Sequence, residues 1–394
     1  MTAAGNPSWE AITVGSALVV AMAAYALFAG ADFGGGIWGL LAGSSARGRR
    51  ARDAIDTSVT PVWEGNQVWI VLGLVLLWTG FPDAFAAIFT ALFVPLAASL
   101  LGLVLRGAGF AFRHEAAHPA GKRLTGALFA CSSLLAPFFL GAAVGAVATG
   151  QVPVHPDGLD NAAWTTPTAL VTGALFVAAC AFIGAVYLVG DASRREHDDL
   201  VTYFGHRAVA SGLAAGVLAA ASLALLHGSS PYLFRRLTGV ALPLVIVSAL
   251  AAAAAVTLIW LRRRRLLRVL GALSVAAVVA AWGVAQYPWL FPTSLGLAGA
   301  SAPAGSQTAE IVVIGMAAVL VVPSFAWLYW LQQHGRLEHD SASAQLRRAA
   351  RAEDRPAAPV AAVRTPRLLV GVIATAAVIR VIQERRRPRS NVQP

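Results

Sequence analysis

The stretch Pro61-Val62-Trp63-Glu64-Gly65-Asn66-Gln67-Val68-Trp69-Ile70-Val71-Leu72-Gly73-Leu74-Val75-Leu76-Leu77-Trp78-Thr79-Gly80 sets the reading of the whole chain. Its second half holds no charge, and its length matches the roughly 20 residues that carry an α-helix across a bilayer core about 30 Å thick. Similar stretches recur on both sides of it, centred near 12–31, 84–105, 125–148, 167–189, 208–227, 238–260, 267–286 and 310–331. Composition agrees. The 394 residues are 57% hydrophobic and 12% charged, against about 25% charged in an ordinary soluble domain, and mean hydropathy is +0.67. The sequence therefore predicts an all-α, polytopic membrane protein of about nine transmembrane helices.

The net charge of +11 does not point to nucleic acid, because the basic residues are sorted by loop. Arg47, Arg49, Arg50 and Arg52 follow the first span, Arg106, Arg113, Lys122 and Arg123 the third, Arg194, Arg195 and Arg207 the fifth, and Arg262 to Arg265 with Arg268 the seventh. With the arginines after the ninth span, 28 of the 30 basic residues fall on one side, leaving Arg235 and Arg236 opposite. The positive-inside rule then predicts an external N-terminus and a cytoplasmic C-terminus. No basic residue precedes Ile12, so the first span reads as retained rather than as a cleaved signal. Cys131 and Cys180 fall inside spans and form no redox motif.

The sequence divides into a membrane part, residues 1–338, and an Arg-rich cytoplasmic tail, residues 339–394, read as disordered or surface-lying. The apolar stretch Leu368–Ile382 in that tail is short for a crossing and contains Arg380.

Carboxylates within spans cost a few kcal/mol and call for a reason. Asp32 lies near the end of the first span, in Gly30-Ala31-Asp32-Phe33-Gly34-Gly35-Gly36, and Glu64 opens the second, between Trp63 and Trp69. Both spans meet the same loop, so the two carboxylates are expected at similar depth in the inner third of the membrane. Helical spacing puts Gln67 on the Glu64 face and Asn66 elsewhere. Two readings of the pair remain: an interfacial ion pair with loop arginines, or a proton- or ion-conducting site. The glycine run follows an apolar helix and not a strand, so it fails as a nucleotide fingerprint and is expected to permit close helix approach. The eight histidines, His114, His118, His155, His197, His206, His227, His334 and His339, all fall in loops or at span ends. Haem in a bilayer needs axial ligands projecting from helices, so the chain is expected to hold no haem or metal of its own.

The octet Val62-Trp63-Glu64-Gly65-Asn66-Gln67-Val68-Trp69, followed by Leu105-Arg106-Gly107-Ala108-Gly109-Phe110-Ala111-Phe112-Arg113 and preceded by the Asp32 segment, resembles subunit II of cytochrome bd-type quinol oxidases. Gln286-Tyr287-Pro288-Trp289-Leu290-Phe291-Pro292 and Pro323-Ser324-Phe325-Ala326-Trp327-Leu328-Tyr329-Trp330 agree, so the resemblance spans roughly residues 10–338. It implies a bacterial plasma-membrane subunit paired with a haem-bearing subunit I, which carries haems b and d and the quinol site. The complex would reduce dioxygen to water with quinol electrons. In that family the carboxylate of the octet is associated with a cytoplasmic proton path, which falls here on Glu64, with Asp32, Gln67, Asn66, Arg106 and Trp63 around it. Many members carry aspartate at the Glu64 position and a carboxylate where this chain has Ala29. Whether a small accessory subunit joins, and whether a quinone or lipid fills a cleft in this chain, stays open at the level of sequence. The alternative is a secondary transporter with an ion-coupling site at Asp32 and Glu64; such proteins tend to show inverted repeats and interrupted helices, and neither is evident.

Overall fold

The computed structural model describes residues 5–43, 45–59, 63–115, 119–263 and 265–333. The tail, Leu368–Ile382 included, lies outside the described residues. The chain divides into two units, residues 1–329 and 330–394, and the first is the membrane body.

Helices dominate this body. The long spans are α1 (Trp9–Leu40), followed by the polar helix α2 (Ala46–Val59) and the short α3 (Trp63–Asn66), then α4 (Val68–Gly80), α5 (Pro82–Ala91), α6 (Phe93–Glu115) and α7 (Pro119–Thr149). After α8 (Asn161–Trp164) come α9 (Pro167–Arg194), α10 (Asp198–Ser229), α11 (Pro231–Leu237), α12 (Leu242–Trp260) and α13 (Leu267–Gln286). A small antiparallel pair, β1 (Trp289–Phe291) and β2 (Leu295–Gly296), leads through α14 (Leu297–Ala300) into α15 (Ala304–Gln333). Among the described residues, seven helices are long and apolar enough to cross a membrane, or eight if α4 and α5 count as one bent span; Phe93–Gly109 is a shorter apolar helix.

The difference from nine uniform spans lies in the second and third apolar stretches. Residues 63–80 do not form one helix: a turn at Gln67 separates α3 from α4. The next stretch, 84–105, is divided between α5 and α6 at Leu92, and α5 is itself bent by 117° from α4. Gly80-Phe81-Pro82 supplies the cause. Proline has no N–H and pushes the residue before it out of helical conformation, and Phe81 sits at φ −139°, ψ 65°. The carbonyl that the bend frees, on Gly80, accepts hydrogen bonds from the Ala302 N–H (2.9 Å) and Gln307 Nε2 (3.1 Å). In an apolar setting an unpaired carbonyl is costly, so this pairing is what makes the bend tolerable.

α1 and α9 form the centre. α1 packs on α4, α7, α9 and α13, and α9 packs on α7 and α10. Their closest approach is at the glycine run: a β-carbon added at Gly34 collides with the Cys180 carbonyl and comes within 2.9 Å of Gly184 Cα. The Trp38 indole N–H then donates to the Ala181 carbonyl across the same seam, at 2.8 Å. Small residues here bring the backbones together, as the sequence led one to expect. Gly34→Val should overpack this seam by about 1–3 kcal/mol and sharply reduce the subunit recovered in membranes by immunoblot. Gly39→Ala is the control, because nothing lies within 4 Å of its added carbon; equal recovery of both variants would refute the seam's importance.

Arg236, one of the two basic residues set apart from the rest, is committed to structure. Its Nη2 donates to the carbonyls of Val284 (3.1 Å) and Tyr287 (2.9 Å) at the end of α13, where unpaired carbonyls gather and the helix dipole is negative.

Candidate functional site

Three polar residues from three helices meet inside the protein. Asp32 comes from α1, Asn66 ends α3, and Arg106 lies well inside α6; they are 3%, 1% and 2% exposed. Asn66 Nδ2 donates to Asp32 Oδ2 at 2.6 Å and to the Phe28 carbonyl at 3.3 Å. Arg106 Nη2 donates to the Asp32 backbone oxygen at 2.8 Å, and its Nη1 donates to Ser133 Oγ at 2.6 Å. Ser133 in turn donates to the Phe129 carbonyl at 2.7 Å. The guanidinium carbon stands 5.1 Å from the Phe33 ring centre and 4.3 Å from that of Phe129, contacts in which the quadrupoles of aromatic faces attract the cation.

Glycines make room for this cluster. A β-carbon at Gly36 collides with Ser133 Oγ and lies 3.1 Å from Arg106 Nη1, and one at Gly65 lies 3.1 Å from the Phe325 ring. Beside the cluster, the Trp69 ring stacks on Phe28 (centroids 6.0 Å apart) and approaches Phe325 (5.8 Å). These rings, with Val20, Ala24 and Val322, line an apolar cleft of about 440 Å³ between α1, α4 and α15.

Several expectations change here. Arg106 is not a loop residue on the cytoplasmic rim: α6 continues to Glu115, and the guanidinium is enclosed by Phe33, Phe129 and Ser133. Asp32 does not pair with loop arginines, since its carboxylate takes the Asn66 amide. Asn66, placed by helical spacing off the Glu64–Gln67 face, ends α3 and reaches Asp32. Gln67 is half-buried before α4. The side chains of Trp63 and Glu64 lie outside the described residues; the backbone places both in α3. Sequence reading missed Ser133 and Phe129. The signal was present in the charged Arg106 amid apolar α6, which demands partners from a neighbouring helix.

No group of three or more His, Cys, Asp or Glu comes together among the described residues. His227 packs its ring edge-on against Phe234 at 4.8 Å.

The fold and cluster define a class: a polytopic α-helical membrane protein with a buried carboxylate–amide–guanidinium centre. Residues 11–332 match the family described as Cytochrome bd terminal oxidase subunit II, and the chain belongs to that family. It is thus a subunit of an oxidoreductase complex, and the transporter reading gives way. Cytochrome bd-I ubiquinol oxidase subunit 2 of Escherichia coli K12 is 25% identical over 347 residues, covering 76% of this chain and 88% of that protein. Cytochrome bd ubiquinol oxidase subunit 2 of Bacillus subtilis is 30% identical over 112 residues, covering 28% of this chain and 32% of that protein. The bd oxidase structure from Geobacillus thermodenitrificans superposes with a TM-score of 0.66 at 20% identity, covering 82% of this chain and 98% of that one.

Proposed function

We propose that this chain is the non-haem subunit of a bd-type complex of the bacterial plasma membrane that oxidises quinol and reduces dioxygen to water. Its partner is subunit I, which holds haems b and d, and this chain provides both a scaffold and a proton path from the cytoplasm. The path begins at Glu64 and continues through Asn66, Gln67 and Asp32 towards the partner. Residues 1–338 do this work, and residues 339–394 form an Arg-rich cytoplasmic tail. The apolar cleft beside Trp69 receives the chain of a lipid or quinone.

One observation carries the path: the 2.6 Å hydrogen bond from Asn66 to Asp32, which links the helix bearing Glu64 to a carboxylate enclosed by three helices. Burying a carboxylate is costly unless it is paired or has a use for its proton. Asp32 has an amide partner that stabilises it without neutralising it. Asp32→Asn preserves shape while removing the titratable group. In a fully assembled complex with normal haem content, this variant should lower quinol-driven oxygen consumption several-fold; unchanged turnover would leave Asp32 a structural residue.

A further inference from the structure

The turn between α12 and α13 has no part in the proton path. α12 ends in a Schellman-type reversal, in which the Arg263 N–H donates to the Leu258 carbonyl (3.0 Å) and the Arg262 N–H to that of Ile259 (3.2 Å). Arg262 stands at φ +53°, the left-handed conformation that favours glycine. The chain uses glycine for such positions after α1 and α7, at Gly43 and Gly150, while Glu196 takes one after α9. An arginine in this slot opposes the backbone preference, so the reason for it lies with the side chain.

The described arginines of the turn, Arg262, Arg263 and Arg265, are also uncommitted. Arg50 is paired with Asp199, and Arg194 and Arg268 share Asp191 at 2.5 Å. Arg262, Arg263 and Arg265 are exposed, and their side chains make no hydrogen bond or ion pair among the described residues. The sequence Trp260-Leu261-Arg262-Arg263-Arg264-Arg265-Leu266 contains no acidic residue. Trp260 is 72% exposed, and Leu261 and Leu266 are exposed at either end of the basic run. Because the turn joins two spans, it lies at headgroup depth. An exposed tryptophan beside cations is the pairing that suits that layer, with its ring at the interface and charge facing the phosphates.

We propose that this turn is a docking site for the headgroups of anionic phospholipids. The guanidinium groups of Arg262, Arg263 and Arg265 donate paired N–H groups to phosphate oxygens, and Trp260, Leu261 and Leu266 rest in the glycerol and acyl region of the same leaflet. Free phosphate and a zwitterionic lipid share the phosphate chemistry but not both the net charge and the chains.

The test uses the whole complex, purified in detergent with subunit I, and follows its melting temperature. Phosphatidylglycerol added as mixed micelles should raise the temperature by several degrees, and phosphatidylcholine or inorganic phosphate should not. The triple variant Arg262→Gln, Arg263→Gln, Arg265→Gln should lose at least half of the shift while co-purifying with subunit I and consuming oxygen as before. Arg262→Gly suits the left-handed turn and controls for misfolding; it should keep the unliganded melting temperature and lose part of the shift. The proposal is overturned by a full shift in the triple variant, by an equal shift with phosphatidylcholine or phosphate, or by loss of subunit I from the triple variant, which would assign the surface to the partner.

Discussion

Glu64→Gln should abolish most quinol-driven oxygen consumption, by roughly tenfold or more, the range in which removing a proton-transfer group is felt. Reducing dioxygen to water consumes protons, and an apolar slab offers them no passage unless titratable or hydrated groups line one. Glu64 occupies α3, two residues before the Asn66 amide that binds Asp32. The amide variant keeps the size and hydrogen-bonding capacity of the side chain and removes only its proton. Glu64→Asp keeps the proton with a shorter reach and should retain much of the turnover, as expected if the family's aspartate serves the same role. Both variants are to be compared at equal haem content. An assembled Gln variant with wild-type turnover would exclude Glu64 from the path.

Arg106→Met should have the second large effect, on assembly rather than on turnover. The guanidinium donates to the Asp32 carbonyl and to Ser133 and is enclosed by two phenylalanine rings. Methionine fills part of the volume but leaves these acceptors unpaired and the neighbouring Asp32 without a nearby cation. Breaking a buried charged arrangement costs about 3–5 kcal/mol, a large share of a domain's total stability. The amount of subunit recovered in the membrane, measured by immunoblot per unit of membrane protein, should fall at least tenfold. Arg106→Lys retains the charge but not the two-pronged, planar geometry, and should give an intermediate yield. Wild-type recovery of the Met variant would show that the cluster does not hold α1, α6 and α7 together.

Much of this protein was legible in its sequence because a bilayer imposes length and polarity rules on each helix separately. The spans near α1, α7, α9, α10, α12, α13 and α15 follow from apolar run length alone, and the octet around Glu64 with the Arg106 segment carried the family. The glycine run at Gly34-Gly35-Gly36 announced a close helix contact by its small size. What the sequence could not settle was which polar groups meet. Helical periodicity set Asn66 off the Glu64–Gln67 face without saying what it meets; the break at Gln67 and the approach of α1 bring it to Asp32. Apolar run length ended the third span just before Arg106, yet α6 runs on to Glu115, and Ser133 and Phe129 on α7 accommodate the guanidinium. The 117° bend after Gly80 depends likewise on Ala302 and Gln307, more than two hundred residues away. Local rules fix where a chain crosses the membrane; the pairing of buried polar groups is a contest among distant partners, and only the packed helices decide it.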